Sequence, residues 1–189
     1  MNADLLVYQA KSFYNAYIAL DQLSRDDSDT LLLLFAPLVV NGAFSVELAL
    51  KAILAKNQIE YGKEHNLLIL FQMLPKSFQQ ELWAYLIEKA PKYAGSEKGL
   101  DELILLSNAF VDWRYAFEGK PVPAIESRFL AAFANAAVHT MLSYYNADLL
   151  PATKTESNNE IEQRFHENRE KCKEINLKMI QKKTKEHQL

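Results

Sequence analysis

Between Leu31 and Lys56 the chain carries one acid, Glu47, and, before its final lysine, one base, Lys51. From Leu31 to Val46 there is no charge at all. A helix with that composition is apolar on most sides, so it has to be wrapped by other elements. A membrane-spanning helix needs roughly 20 consecutive apolar residues. This run is interrupted by Pro37, Asn41, Gly42 and Ser45 and ends at Glu47, so it reads as a central core helix over 31–57. Pro37 either kinks that helix or opens a second one as its first residue.

The rest of the chain supplies wrapping. Over 3–24, Leu6, Ala10, Phe13, Tyr17 and Leu20 make one apolar stripe at three- and four-residue spacing. A polar break, Arg25 to Asp29, follows, and Asp29 or Thr30 can cap the central helix. A loop surrounds Gly62. A short helix is expected over 65–74, stopped by Pro75, and another over 76–90. After a loop at 91–99, a helix over 100–118 would turn Leu103, Leu106, Phe110, Trp113 and Phe117 inward. A sharp connection at 119–123 leads to a long helix over 124–148, with Phe129, Phe133, Ala136, Thr140 and Tyr144 along one stripe. With only 5 glycines and 6 prolines in 189 residues, turns are few, which disfavours a many-stranded β fold. The expected class is all-α: an antiparallel bundle of five or six helices over 1–150, a linker at 151–159, and a charged amphipathic helix over 160–189. In that last segment Ile161, Phe165, Cys172, Ile175 and Met179 follow a short heptad pattern suited to a partner or a second copy. A homodimer or a partner protein held through this helix is the expected assembly.

Much chemistry is excluded by what the chain lacks. One cysteine, Cys172, cannot form an internal disulfide and fits a reducing compartment. No basic stretch followed by an apolar core opens the sequence, so the expected location is cytoplasmic. Four scattered histidines and one cysteine make no metal site, and no glycine-rich phosphate loop is present; no cofactor is expected. The net charge of −3 gives no general attraction for nucleic acid, so any such contact is local.

Three segments carry the candidate polar groups. In PLVVNGAFSVELALKAIL, residues 37–54, Glu47 and Lys51 are four apart on one face of an apolar helix, as a structural ion pair or as an acid and base in a groove. In EHNLLILFQMLP, residues 64–75, His65 stands at the start of a short helix. In FVDWRYAFEG, residues 110–119, Arg114 interrupts an aromatic stripe. It can pair with Glu118 or turn inward to Glu47, where its fork suits a carboxylate. Charges on apolar helices need partners, so Glu47, Lys51, His65 and Arg114 are expected to form one inter-helix cluster.

Taken in order, these segments resemble the HEPN family of helical bundles, with Asn41, Glu47, Lys51, His65, Leu67, Arg114 and Tyr115 matching the pattern over about residues 3–148. The resemblance implies an antiparallel bundle, frequent homodimers, RNA-related function, and roles in toxin–antitoxin, phage-defence or stress modules. Active members carry an arginine, four to six residues, then a histidine in the last bundle helix. Here no arginine stands at that distance before any histidine. Arg128 precedes His139 by eleven residues, and in ANAAVH, residues 134–139, Ala134 occupies the place of the arginine while Asn135 and His139 fill the other polar places. The resulting reading is a non-catalytic RNA-associated or protein-interaction module. Its alternatives are a metal-independent endoribonuclease with an atypical site, using His139 or His65 with Arg128 or Arg114, and a helical adaptor with no nucleic-acid role.

Overall fold

Two long helices, α1 (Ala3–Ser24) and α2 (Ser28–Lys56), form an antiparallel hairpin. In this computed structural model, residues 3–25, 28–94, 96–115 and 124–146 and position 170 are described, and those four stretches belong to one compact unit. Every residue from Ser45 to Leu54 is buried, because α2 packs against α1, α3, α6 and α7. Over Leu33–Lys56 it is long and apolar enough to cross a membrane by length and composition, and 56% of that apolar window is buried inside the bundle.

Pro37 neither breaks α2 nor opens a second helix. Its ring leaves the carbonyl of Leu33 without the usual amide partner. Both residues are exposed, so water reaches that carbonyl, and the Asn41 side chain donates back to the Pro37 carbonyl at 2.7 Å. Five residues on, the helix comes close to two neighbours. A Cβ on Gly42 would stand 3.0 Å from the Tyr17 ring and 3.1 Å from Leu130, so α1 and α7 both close on α2 at this point.

The remaining elements are α3 (Leu67–Met73), α4 (Lys76–Lys89), a 3-10 turn (Pro91–Tyr93), α5 (Ser96–Leu106), α6 (Ala109–Arg114) and α7 (Ser127–Tyr145). The class is all-α, with no strand among the described residues. α3 starts two residues later than expected, because the Asn66 side chain accepts the Ile69 amide as an N-cap at 3.1 Å. The loop expected at 91–99 is shorter, and α5 begins at Ser96.

The single helix expected over 100–118 is instead two. At Ser107 the amide and the hydroxyl both turn back to the Ile104 carbonyl, at 3.2 and 2.7 Å, and the Ser107 carbonyl accepts the Leu67 amide at 2.7 Å. Chain there leaves the helix to tie α5 to the start of α3. α2 begins at Ser28, so Asp29 and Thr30 lie inside the helix rather than capping it. Phe117, Glu118, the connection at 119–123, the linker at 151–159 and, apart from position 170, the helix over 160–189 lie outside the described residues.

Candidate functional site

On the most buried stretch of α2, Glu47 and Lys51 rise on one face because they are four apart. Their side chains are 2% and 9% exposed, and Lys51 Nζ donates to Glu47 Oε1 at 2.7 Å. His65 Nδ1 lies 2.9 Å from the same oxygen. A carboxylate oxygen can only accept, so the proton of that contact sits on Nδ1. Nε2 is then left facing outward on a side chain that is 50% exposed. Glu47 Oε2 meets no donor among the described residues.

Local chemistry in the loop before α3 fixes His65. Gln58 and Gly62 take left-handed backbone, at φ +59 and +56, and swing the chain back over α2. Glu64 Oε1 then accepts the amides of Asn66 and His65 at 2.7 and 2.8 Å. The Asn66 amide is the main cause holding the Glu64 carboxyl below its ordinary range, with the His65 amide adding to it. Asn66 caps α3 and also donates to Asn108 Oδ1 at 3.0 Å. The Lys51 ammonium stands 5.4 Å from the Tyr61 ring centre. Burial, then the charge of Glu47, pushes the Tyr61 hydroxyl above its ordinary value.

Arg114 does not join this cluster at the carboxylate. It is exposed, its guanidinium lies 4.7 Å over the Phe110 ring, and Nη2 donates to the Tyr115 hydroxyl at 2.9 Å. Phe110 stacks on Phe44 at 4.3 Å and stands 6.5 Å from the His65 ring. Phe44 and Arg114 therefore sandwich Phe110, and the arginine adjoins the cluster through an aromatic ring. The expectation that it turns inward to Glu47 fails because α6 is a separate helix with its own rotational phase. Asn41 is spent on the Pro37 carbonyl and takes no part either.

The second group of expected residues lies on α7. Arg128, Asn135 and His139 stand on one stripe away from the core. Asn135 Nδ2 donates to the Tyr14 hydroxyl of α1 at 3.0 Å, and the exposed His139 ring stacks on Tyr85 of α4 at 3.9 Å. Arg128 and Asn135 line an open hollow of about 570 Å³ with Lys89, Pro91, Lys92 and Tyr93. Lys89 pairs with Glu88 at 2.8 Å, and Lys92 pairs with Glu126. These contacts raise both ammonium groups above their ordinary value, and Lys92 holds the Glu126 carboxyl down. Lys89, Lys92 and Tyr85 were not legible as site residues, since nothing in their spacing marks the α4–α7 contact.

Ala134 is wholly buried, one position round from the stripe and next to Phe133. An arginine there would enter the core and could not stand beside His139. Arg128 and His139, eleven residues apart, are separated by roughly 16 Å along the helix axis.

A family model described as HEPN domain matches residues 38–121. The match takes in Asn41, Glu47, Lys51, His65, Arg114 and Tyr115 and stops short of Arg128, Asn135 and His139. No curated protein and no solved structure matches the chain.

Proposed function

We propose, from the match of residues 38–121 to the HEPN-domain model, that the chain is an RNA-associated module without ribonuclease activity. The observation that carries the reading is the outward stripe of α7. Arg128 and Asn135 share a hollow with Lys89 and Lys92, and His139 stacks on Tyr85 beside them. Cations there can contact phosphates, and flat rings offer stacking surface to unpaired bases. Three cations against the carboxylates of Glu88 and Glu126 leave one net positive charge, so binding is weak and governed by salt.

Cleavage needs a cation and an imidazole at one phosphate. Arg128 and His139 are too far apart for that, and position 134 faces the core. The test is fluorescence anisotropy with a labelled single-stranded RNA across a salt series, alongside a metal-free cleavage assay. The expected result is binding that falls with salt, because contacts to a few phosphates release condensed counterions, a several-fold loss in Arg128→Ala, and no cleavage. Salt-independent binding or none would leave a plain helical adaptor.

One observation favours a second reading, a displaced metal-independent ribonuclease. A buried carboxylate orients the half-exposed imidazole of His65, as an orienting acid does for a general base. Metal-free cleavage abolished by His65→Ala and untouched by His139→Ala would select it. Cleavage abolished by His139→Ala would instead place the chemistry on α7. The toxin–antitoxin or phage-defence setting is part of the proposal, and neighbouring genes of that kind would support it.

A further inference from the structure

Where α3, α4 and α5 meet, the surface carries an open hollow of about 580 Å³. α4 supplies Trp83, Ala84 and Ile87 to it, α3 supplies Phe71, and α5 supplies Leu100. Sites for small ligands span about 300–1,000 Å³ and are mostly apolar with a few polar groups. Trp83 is held in place by its neighbours. The Phe71 ring lies 5.8 Å from it, and a Cβ on Gly99 would stand 2.8 Å from Trp83 Cζ2. α5 thus carries a residue without a side chain where the indole packs.

Polarity changes along this hollow. Lys76, Gln79 and Gln80 border it at the start of α4. Trp83 and Ala84 follow a turn later and Ile87 a turn beyond, so about 16 Å of helix separates the polar end from the apolar one. A groove for a partner helix has its polarity across it, with an apolar floor between polar rims. Here the polar groups stand at one end, which suits a ligand with a head and a tail.

The sign of the head follows from Lys76. It is the only charged residue among the described residues that line the hollow. Its ammonium donates to a neutral oxygen, Gln79 Oε1 at 3.2 Å, and meets no carboxylate among the described residues. Gln79 is itself fixed, because its Nε2 donates to the carbonyls of Gln72 and Leu74 at 3.0 and 2.8 Å. The first turn of α4 holds no acid. A lysine at the positive end of a helix is unfavourably placed, and an anion beside it offsets both charges.

We infer that this hollow binds a small amphiphilic acid, an unbranched chain with one carboxylate, its head at Lys76 and its tail along Trp83, Ala84 and Ile87. The inference goes beyond the RNA reading and uses none of the residues of the α7 stripe.

Isothermal titration calorimetry of the full chain with octanoate, decanoate and dodecanoate, each below its micelle concentration, tests this. One acid should bind per chain. Each added methylene should tighten binding about fourfold until the tail outgrows the hollow. Decyltrimethylammonium, with the same tail and the opposite charge, should bind several-fold more weakly than decanoate, and Lys76→Gln should narrow that gap. Ala84→Glu sets a carboxylate in the hollow at an exposed helical position and should abolish saturable binding, with far-UV circular dichroism and Tm reporting that the fold is intact. In Trp113→Phe the remaining tryptophan is Trp83, and its emission should follow the same saturation curve. Three results overturn the inference: no saturable binding, which leaves the hollow to a protein partner; equal affinity for the two heads, which makes it a bare apolar face; or binding that Ala84→Glu leaves unchanged, which places the acid elsewhere.

Discussion

Lys51→Met removes the charge that faces Glu47 while keeping most of the side chain's length and volume. The stem of Lys51 is packed in the core, so methionine leaves little cavity, and the loss is mainly electrostatic. Glu47 would remain at 2% exposure with His65 on one oxygen and no described donor on the other. Breaking a buried ion pair from one side costs about 3–5 kcal/mol, since the remaining charge cannot return to water. For a chain of this size each kcal/mol is worth about 2–4 °C, so Tm should fall by roughly 6–20 °C. Removing both charges, as Glu47→Leu with Lys51→Met, should cost far less than the sum of the single changes, because a buried pair and an apolar replacement are often nearly equal in energy. Urea unfolding followed by circular dichroism gives the double-mutant cycle. The argument fails if Lys51→Met costs less than about 1 kcal/mol, or if the two single losses simply add.

Three further outcomes are expected. Gly42→Ala drives a Cβ to within 3.0 Å of Tyr17 and 3.1 Å of Leu130 and should cost about 1–3 kcal/mol through overpacking, read from the urea midpoint; an unchanged midpoint would show that α1 and α7 do not close on α2 as described. Ala134→Arg should unfold the bundle or lower its Tm sharply without creating ribonuclease activity, and a folded variant that cleaves RNA would show that this position reaches the surface. Glu64 has a depressed folded-state pKa, so the stability it contributes is present above its ordinary value of 4.5 and lost as pH falls through the folded value. Unfolding midpoints between about pH 3 and 7 should therefore drop less steeply on the acid side in Glu64→Gln than in the wild type; parallel curves would remove Glu64 from the acid response.

Much of the molecule was legible because helices write a period into the chain. The all-round apolar segment around Ser45 to Leu54 had to be central. Four-residue spacing had to put Glu47 and Lys51 on one face, and the stripe of Phe129, Phe133, Ala136 and Thr140 marked the core side of α7. The burial of Ala134, one position from Phe133, was implicit there as well.

Tertiary structure decided what no period carries. The Leu67 amide bound to the Ser107 carbonyl marks a break between α5 and α6, and a break resets helical phase, so the pattern of Leu103 and Leu106 could not tell which way Arg114 would turn. Likewise, His65 reaches Glu47 across 18 residues only because a left-handed loop and the Asn66 cap bring the chain back over α2. Local spacing fixes which side chains share a helix face. Contacts between distant segments choose the neighbour that face meets, and their energy depends on packing and hydrogen bonds that exist only once the bundle has closed.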